Sequence, residues 1–142
     1  MKQTQQLLYY IATQEEAIIT YSRSNTKLAV HSDASYLSEQ KARSRAGGHF
    51  FLSKGEMIPQ NNGAILNINH TIKHVMTSAT ESELAALYIL ARKAVYIRII
   101  LEEMGHKQPL TPLQIDNAMS DAVCNGKIQA KKQKQWACDF IG

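Results

Sequence analysis

Four carboxylates are spread along the chain, and each falls at or near the end of an element that the sequence predicts. They are Asp33, Glu83, Asp116 and Asp139. Asp33 stands out because aspartate is depleted in strands and is costly to bury unpaired, yet it lies in a strand-like run. Carboxylates gathered in one place repel each other unless a cation neutralises them, and Mg²⁺ and Mn²⁺ prefer oxygen ligands. If the four acids converge, the chemistry they favour is divalent-metal binding.

Each acid also has an ordinary structural explanation. Asp33 could begin a turn, and Asp116 could form an Asx turn or cap a helix. Glu83 fits a capping box that starts at Thr80, and Glu81 competes with it for any functional role. The last acid, taken alone, is typical of a solvated helix. Only the combination of the four points to a site.

The hydrophobic patterns predict strands, a long helix, another strand and two further helices. Such an order is typical of a mixed α/β sheet crossed by a helix. A short helix at 4–12 precedes them, and "YLSEQKARSRAGG" is predicted to be a polar, basic loop with a flexible glycine pair. The predicted strands are 17–21, 28–35, 49–54, 64–76 and 113–117, and the predicted helices are 79–104, 118–123 and a basic C-terminal segment.

The long helix is the clearest element. Its apolar residues at 84, 87, 88, 91, 95 and 99 repeat with a period near 3.6. Gly105 is a suitable stop, and Pro109 and Pro112 follow it. This helix begins within a few residues of Glu83, so its start must position that acid.

Composition limits the classes of protein to consider. With 142 residues one domain is expected, and 44% hydrophobic and 20% charged residues are ordinary for a globular protein. The net charge of +4 is compatible with a nucleic-acid partner. Cys124 and Cys138 show no zinc spacing and are expected to be free thiols. No run is apolar enough for a membrane span and the N-terminus is not a signal peptide, so we expect an intracellular protein without a membrane partner.

Two groups of histidines are weaker signals. His70 and His74 lie in a predicted strand, where they would stand about 13 Å apart and could not share a metal. His31 shares a face with Asp33, and we expect it to be packed or capped rather than to act as a ligand.

In the order of its motifs, the chain resembles the RNase H domain of copia-type LTR-retrotransposon polyproteins. The resemblance runs over about residues 5–139 and rests on an ordered set of segments. These are "LAVHSDASYLS", "ARSRAGGHFFL", "HVMTSATESELAALYILARKAV", "LEEMGHKQP" and "IDNAMSDAV". Residues 1–25 resemble the tail of the connection region that follows the reverse transcriptase, which leaves 26–142 as the RNase H domain. The implied fold is RNase H-like, a five-stranded mixed sheet with helices on both faces.

The resemblance also implies a catalytic and metal-binding set of four acids. Residue by residue, these are Asp33, Glu83, Asp116 and Asp139, while Glu81 falls on an extra acid. Two Mg²⁺ or Mn²⁺ ions would then support endonucleolytic hydrolysis of the RNA strand of an RNA/DNA hybrid. Asp33 would bridge both ions, Glu83 and Asp116 would hold one, and Asp139 the other.

The implied substrate contacts lie close to these acids. Backbone groups near Ser35 and Tyr36, together with Asn117, are expected to face the RNA strand. Basic side chains are candidates for phosphate contacts, although a solvated surface explains any single one of them better. They are Lys41, Arg43, Arg45, Lys127, Lys131, Lys132 and Lys134.

Departures from the family pattern keep other functions open. "KKQKQWACD" lacks a histidine that some relatives carry, and the chain ends three residues after Asp139. One alternative is therefore a catalytically silent RNase H-fold module that binds nucleic acid, as a truncated retrotransposon remnant. A transposase or integrase is another, but its D-D-E order fits less well than D-E-D-D. We expect a monomer as an isolated domain, with a reverse transcriptase domain as a partner in the parent polyprotein.

Overall fold

A computed structural model describes residues 2–14, 16, 18–56 and 58–115. Several predictions concern residues outside these ranges, namely the two C-terminal helices and the residues Asp116, Asn117, Lys127, Lys131, Lys132, Lys134 and Asp139. For the described residues, the structure contains two helices and four strands. Their bounds are α1 Lys2–Thr13, β1 Lys27–Glu39, β2 Arg43–Ser53, β3 Ala64–Thr71, α2 Ala79–Glu103 and β4 Leu113–Ile115.

The strands form one mixed sheet in the order β3-β2-β1-β4. The chain runs antiparallel from β1 to β2 to β3, and β4 then pairs in parallel with β1 after the crossover through α2. This arrangement confirms the predicted α/β class. The described part of the sheet has four strands where the sequence predicted five.

One face of the sheet packs on α2. Leu28, Val30 and Phe50 are fully or almost fully buried against Leu90 and Leu101. A second cluster joins β2 to the first turns of the helix. Because side chains alternate along a strand, every second residue of β1 and β2 faces this core and the residues between them face away. We call the side of the sheet away from α2 the open face.

The predicted loop over 36–48 is wrong. β1 continues to Glu39, a turn covers 40–42, and β2 begins at Arg43. Lys41 and Ala42 adopt positive φ angles of 62° and 52°, which let the chain reverse there. Glu39 pairs with Arg43, and Arg45, Gly47 and Gly48 also pair with residues of β1, although the pairing is irregular between Ser35 and Glu39. This pairing overrides the local propensity for a loop.

The glycine pair predicted to be flexible is part of β2. Gly47 pairs with Asp33, and Gly48 pairs with Ser32. A Cβ atom at Gly48 would lie 2.3 Å from Leu90 Cδ2, so this position needs glycine for the helix to approach the sheet.

The β-branched run at 17–21 is not a strand in the described residues 18–21. Ile18 and Ile19 are 78% and 69% exposed. None of the four described strands pairs with this segment, and β-branched residues do not form a strand without a pairing partner. α1 confirms the predicted helix at 4–12, although Leu7, Leu8 and Ile11 on it are more than half exposed.

The helix α2 confirms the predicted helix at 79–104. Its core-facing stripe is made of Ala86, Leu90, Ala94 and Leu101, whereas Val95 and Ile99 of the predicted apolar repeat are about half exposed. Neither described helix has the length and apolar character that a membrane crossing requires.

The N-terminus of α2 is capped by Ser78 rather than by Thr80. The Glu81 N–H donates to Ser78 Oγ at 3.1 Å, and the Glu81 carboxylate accepts from the Thr77 N–H and hydroxyl at 2.6 Å each. The capping role therefore belongs to Glu81. Glu83 is not needed for it, which removes the ordinary explanation for that residue.

Candidate functional site

Asp33 lies on the open face, in the middle of a central strand. Its neighbours Ser32 and Ala34 face α2, so the Asp33 side chain points the other way and is exposed. Across the sheet it is level with Gly47 on β2 and Asn69 on β3. A carboxylate is tolerated in this strand because this side chain reaches solvent instead of the core.

Glu83 lies in the first turns of α2 and is only 6% exposed. Helical periodicity places it on the same stripe as Ala86, Leu90 and Ala94, which face the sheet. Carboxylates are rarely buried to this extent unless they are held by a partner. Burial at a helix start next to the central strands is what a site residue needs.

The described part of the site thus contains two of the four predicted acids. Asp33 lies on the open face and Glu83 on the α2 side, and both are hard oxygen donors of the kind that Mg²⁺ and Mn²⁺ take. β4 ends at Ile115, which pairs with Ser32. Asp116 follows Ile115 directly in the sequence. Within residues 2–14, 16, 18–56 and 58–115, no three His, Cys, Asp or Glu side chains are grouped closely enough to hold a metal ion.

Several predicted substrate contacts lie beside Asp33. Ser35 and Tyr36 are exposed on β1, and Arg45 pairs with Ser35 across the strands. Arg45 is on the open face, where its Nε contacts Glu39 at 2.7 Å and its guanidinium donates to Asn69 Oδ1 at 3.1 Å. Arg43 and Lys41 follow at the turn.

A row of polar and aromatic side chains next to Asp33 was not assigned from the sequence. His31, His49, Asn67 and Gln114 lie level with one another on β1, β2, β3 and β4. Together with Asp33 they line a cavity of about 580 Å³. The sequence contains one signal for this row, because Asn67 and Asn69 alternate with apolar residues. Such alternation is typical of a strand with one face exposed to solvent.

The histidines in this row are held in place. His49 Nδ1 is 3.0 Å from Asn67 Oδ1, and its Nε2 is 3.1 Å from the Asn62 carbonyl oxygen. The His31 ring meets Phe51 edge-on at 5.0 Å, which matches the packed role expected for it. Burial lowers the pKa of His31, the nearby His49 lowers it further, and a hydrogen bond that the ring donates to the Gln114 side chain acts in the opposite direction.

Stability should therefore fall in mild acid through His31. The unfolded chain binds a proton at the ordinary histidine pKa of about 6.5, whereas the folded chain binds it only at a lower pH. The contribution of His31 to the free energy of unfolding is therefore complete above that pH and is lost below it. We expect His31→Gln to flatten the decline in the free energy of unfolding between pH 7.5 and pH 5, measured by urea unfolding. The matched variant His106→Gln, at an exposed position, should keep the parent slope. An unchanged slope in His31→Gln would contradict the assignment.

Two solved structures have a similar fold. LC11-RNase H1 in complex with an RNA/DNA hybrid matches with a TM-score of 0.53 and 11% identity. RNase H1 from the halophilic archaeon Halobacterium salinarum matches with a TM-score of 0.50 and 14% identity. In both comparisons the match covers 75% of this chain and 66% of the other, so the chain spans slightly less than two thirds of each.

No protein-family model matches the chain, and no curated protein is significantly similar to it. The likeness to the two enzymes lies in the arrangement of the elements, at 11% and 14% identity. The predicted fold is confirmed by this arrangement: the chain has the RNase H-like fold.

Proposed function

We propose that this chain is a metal-dependent ribonuclease H that hydrolyses the RNA strand of RNA/DNA hybrids. The observation that carries the proposal is the place of Asp33. On an RNase H-like fold, an exposed carboxylate lies in the middle of the central strand β1, beside the parallel strand β4. A similar fold, LC11-RNase H1, is known in complex with an RNA/DNA hybrid.

In this proposal the four acids hold two divalent ions, Mg²⁺ or Mn²⁺. Asp33 would contact both ions, Glu83 and Asp116 would hold one of them, and Asp139 would hold the other. When bound, the ions supply positive charge to the attacking water and to the leaving oxygen. The chain would contribute the positions of its carboxylates, of which Asp33 is exposed on β1 and Glu83 is buried at the start of α2.

The basic and polar residues around Asp33 orient the substrate. Arg45 is held by Glu39 and Asn69, so its guanidinium is pre-positioned for phosphate on the same face as Asp33. Backbone groups at Ser35 and Tyr36 would face 2′-hydroxyls of the RNA strand. From outside the described residues we propose Asn117 for the RNA strand and Lys131, Lys132 and Lys134 for phosphates.

We also propose that the domain comes from a copia-type retrotransposon polyprotein, in which a reverse transcriptase domain precedes it. Residues 4–14 are exposed and make no part of the core, as expected of a segment that belongs to a preceding region. Further along, residues 21 and 25 are attached to the sheet. The Tyr21 hydroxyl donates to the Ala64 carbonyl, and the Asn25 N–H donates to the Ser53 carbonyl. A monomer remains the expected state of the domain alone.

A catalytically silent module that binds nucleic acid is the second candidate. The observation in its favour is that Asp33 and Glu83 lie on opposite sides of β1 within the described residues. Such a module would keep the basic and polar open face without a complete metal site.

The test is a hybrid with fluorescently labelled RNA, incubated with the purified chain and Mg²⁺ or Mn²⁺. Internal cleavage of RNA in the hybrid, blocked by EDTA and absent with double-stranded DNA, is the expected result. Binding of the hybrid without cleavage under either ion would instead establish the silent module. Neither binding nor cleavage would refute both.

A further inference from the structure

A polar cavity lies at the end of the sheet away from Asp33. Its volume is about 530 Å³, and it is lined by residues 22–25, the end of β2 and the loop residues that follow. Ser53, one of the lining residues, pairs with Lys27, which is six residues before Asp33 on β1. Six residues of a strand span about 20 Å, so this cavity is separate from the proposed metal site. Its volume is in the range of small-ligand sites.

Asn62 attaches one wall of the cavity, residues 22–25, to β2. Its Oδ1 accepts from the Ser22 N–H at 2.7 Å and from the Gly63 N–H at 2.9 Å. Its Nδ2 group donates to the Ser22 carbonyl at 3.0 Å and to the Leu52 carbonyl at 2.9 Å. An amide side chain has two donors and two acceptor positions, and here all four are used. The wall therefore has a defined place beside β2.

Tyr21 and Asn25 hold the two ends of this wall. The Tyr21 ring lies against Gly63, where a Cβ atom would be only 2.6 Å from the ring. The Asn25 N–H donates to the Ser53 carbonyl, and its side-chain amide donates to the Lys54 carbonyl, both at 3.1 Å. The cavity is thus formed before a ligand arrives, which reduces the ordering cost of binding.

Two cations from different segments line this cavity. Arg23 belongs to the wall, and Lys54 follows the last residue of β2. Neither forms an ion pair within the part of the chain that the structure describes. Glu56 is the single acid among the described lining residues, so cations outnumber acids there. Like charges that line one cavity repel each other, and a bound anion relieves this repulsion.

The uncharged lining groups favour hydroxyl groups over an aromatic ring as the rest of the ligand. Gln60 and Asn61 are exposed on the loop side of the cavity and offer amide donors and acceptors. Among the described lining residues, Leu52 is the single aliphatic side chain and none is aromatic. Nucleobases are commonly held by stacking on aromatic side chains, which this cavity does not offer from its described residues.

We infer that this cavity binds a sugar phosphate group, with Arg23 and Lys54 on the phosphate and the amides of Gln60 and Asn61 on the sugar hydroxyls. Charged donors form the strongest hydrogen bonds to phosphate oxygens. Two sources share this chemistry, a free sugar phosphate and the 5′-phosphate end of a nucleic-acid strand. The inference goes beyond the proposed function and does not depend on it, because none of the four acids takes part.

The test is a titration of the full chain with ribose 5-phosphate in EDTA, followed by ¹H–¹⁵N NMR. We expect saturable shifts at residues 22–25, 52–56 and 60–62, with a Kd of about 1 mM or tighter. Ribose without phosphate, at the same concentration, should leave these signals unchanged. Equal shifts with both compounds, or shifts with neither, would overturn the inference.

Charge variants test the two cations. Arg23→Gln and Lys54→Gln should each weaken binding about fivefold or more, because each removes charged donors to the phosphate. Glu56→Gln should tighten binding about twofold, since it removes a negative charge near the phosphate. Lys93→Gln, at an exposed position on α2, makes the same change as Lys54→Gln and should bind within about twofold of the parent. If Lys93→Gln weakens binding as much as the two cavity variants do, the attraction is general and there is no site.

Gly63→Ala tests whether the wall shapes the site. Its methyl group would collide with the Tyr21 ring and displace the wall, while every lining side chain stays in the chain. We expect binding about fivefold weaker with a cooperative melting curve retained. Binding like that of the parent would show that residues 22–25 do not form the site. If this variant does not fold, Arg23→Gln and Lys54→Gln decide, because both replace exposed side chains.

A single-stranded RNA tetranucleotide with a 5′-phosphate distinguishes the two sources. Binding about tenfold tighter than that of ribose 5-phosphate, with the gain lost in Arg23→Gln, would identify the strand end as the ligand. Binding no tighter than that of ribose 5-phosphate would identify the free sugar phosphate. If the same tetranucleotide with a 5′-hydroxyl binds as well as the phosphorylated one, the cavity does not recognise a terminal sugar phosphate and the inference is wrong.

Discussion

Asp33→Asn is expected to lower hybrid cleavage by several orders of magnitude while the fold persists. In the proposed site this carboxylate would contact both ions, so the substitution would remove charge from the surroundings of both without changing the side chain's shape. Asp33 is exposed and makes no core contact, so we expect the free energy of unfolding to stay within about 0.5 kcal/mol of the parent or to rise. The measurements are a hybrid-cleavage rate and a melting curve for each protein.

Glu81→Gln is the matched control for this variant. Glu81 accepts from Thr77 at the start of α2, and a glutamine oxygen can accept the same bonds, so only the charge at the helix N-terminus is lost. The substitution should therefore cost less than about 1 kcal/mol of stability and leave the cleavage rate nearly unchanged. Asp139→Asn should give an intermediate rate, because in the proposal it holds one ion only. Parent-like cleavage by Asp33→Asn, or an inactive Glu81→Gln, would show that the site is assigned wrongly even though the fold is right.

Gly48→Ala should destabilise the fold through a single methyl group. Its Cβ would lie 2.3 Å from Leu90 Cδ2 and 3.0 Å from Cδ1, and Leu90 is fully buried. Overpacking of this kind costs about 1–3 kcal/mol. Leu90→Ala alone should cost about 2–5 kcal/mol because it leaves a cavity. Urea unfolding of both single variants measures these costs.

The double variant tests the contact itself. In Gly48→Ala with Leu90→Ala, the new methyl group occupies part of the space that the leucine leaves, so the combined loss should be smaller than the sum of the two. Gly47→Ala, one residue away on the open face, is the control and should not destabilise the chain, because its Cβ has ordinary contacts. Additive losses in the double variant would mean that α2 does not approach β2 as described.

Prediction from the sequence worked best where the signal is local. The 3.6-residue period predicted α2 to within a residue of its described end. The alternating run at 64–76 predicted β3, which ends earlier, at Thr71, and the short run after the proline-marked turn predicted β4. It failed at 36–48, where serine, arginine and glycine read as loop residues. Arg45, Gly47 and Gly48 are held in β2 because β1 and β3 pair with them on both sides, and pairing between distant segments is not visible in the local pattern.

For the candidate site, the sequence by itself determined which acids to consider, and it placed Asp33 in a strand and Glu83 at a helix start. It left open whether Glu83 caps that helix, because Glu83 fits a capping box that starts at Thr80. The tertiary structure decided this by giving the cap to Glu81 and burying Glu83. Burial depends on which side of a helix meets the sheet, and that is a property of the packed chain.

The open face of the sheet shows the same division between what the sequence determines and what the tertiary structure decides. Alternation in the sequence determined that Asn67 and Asn69 share one face of a strand, and that His31 and Asp33 share one face of another. Only the tertiary structure decided that these are the same face, by setting the register of β1, β2 and β3. The physical reason is that a shift of one residue in a strand pair moves every side chain to the other face, and this register is fixed by long-range packing on α2.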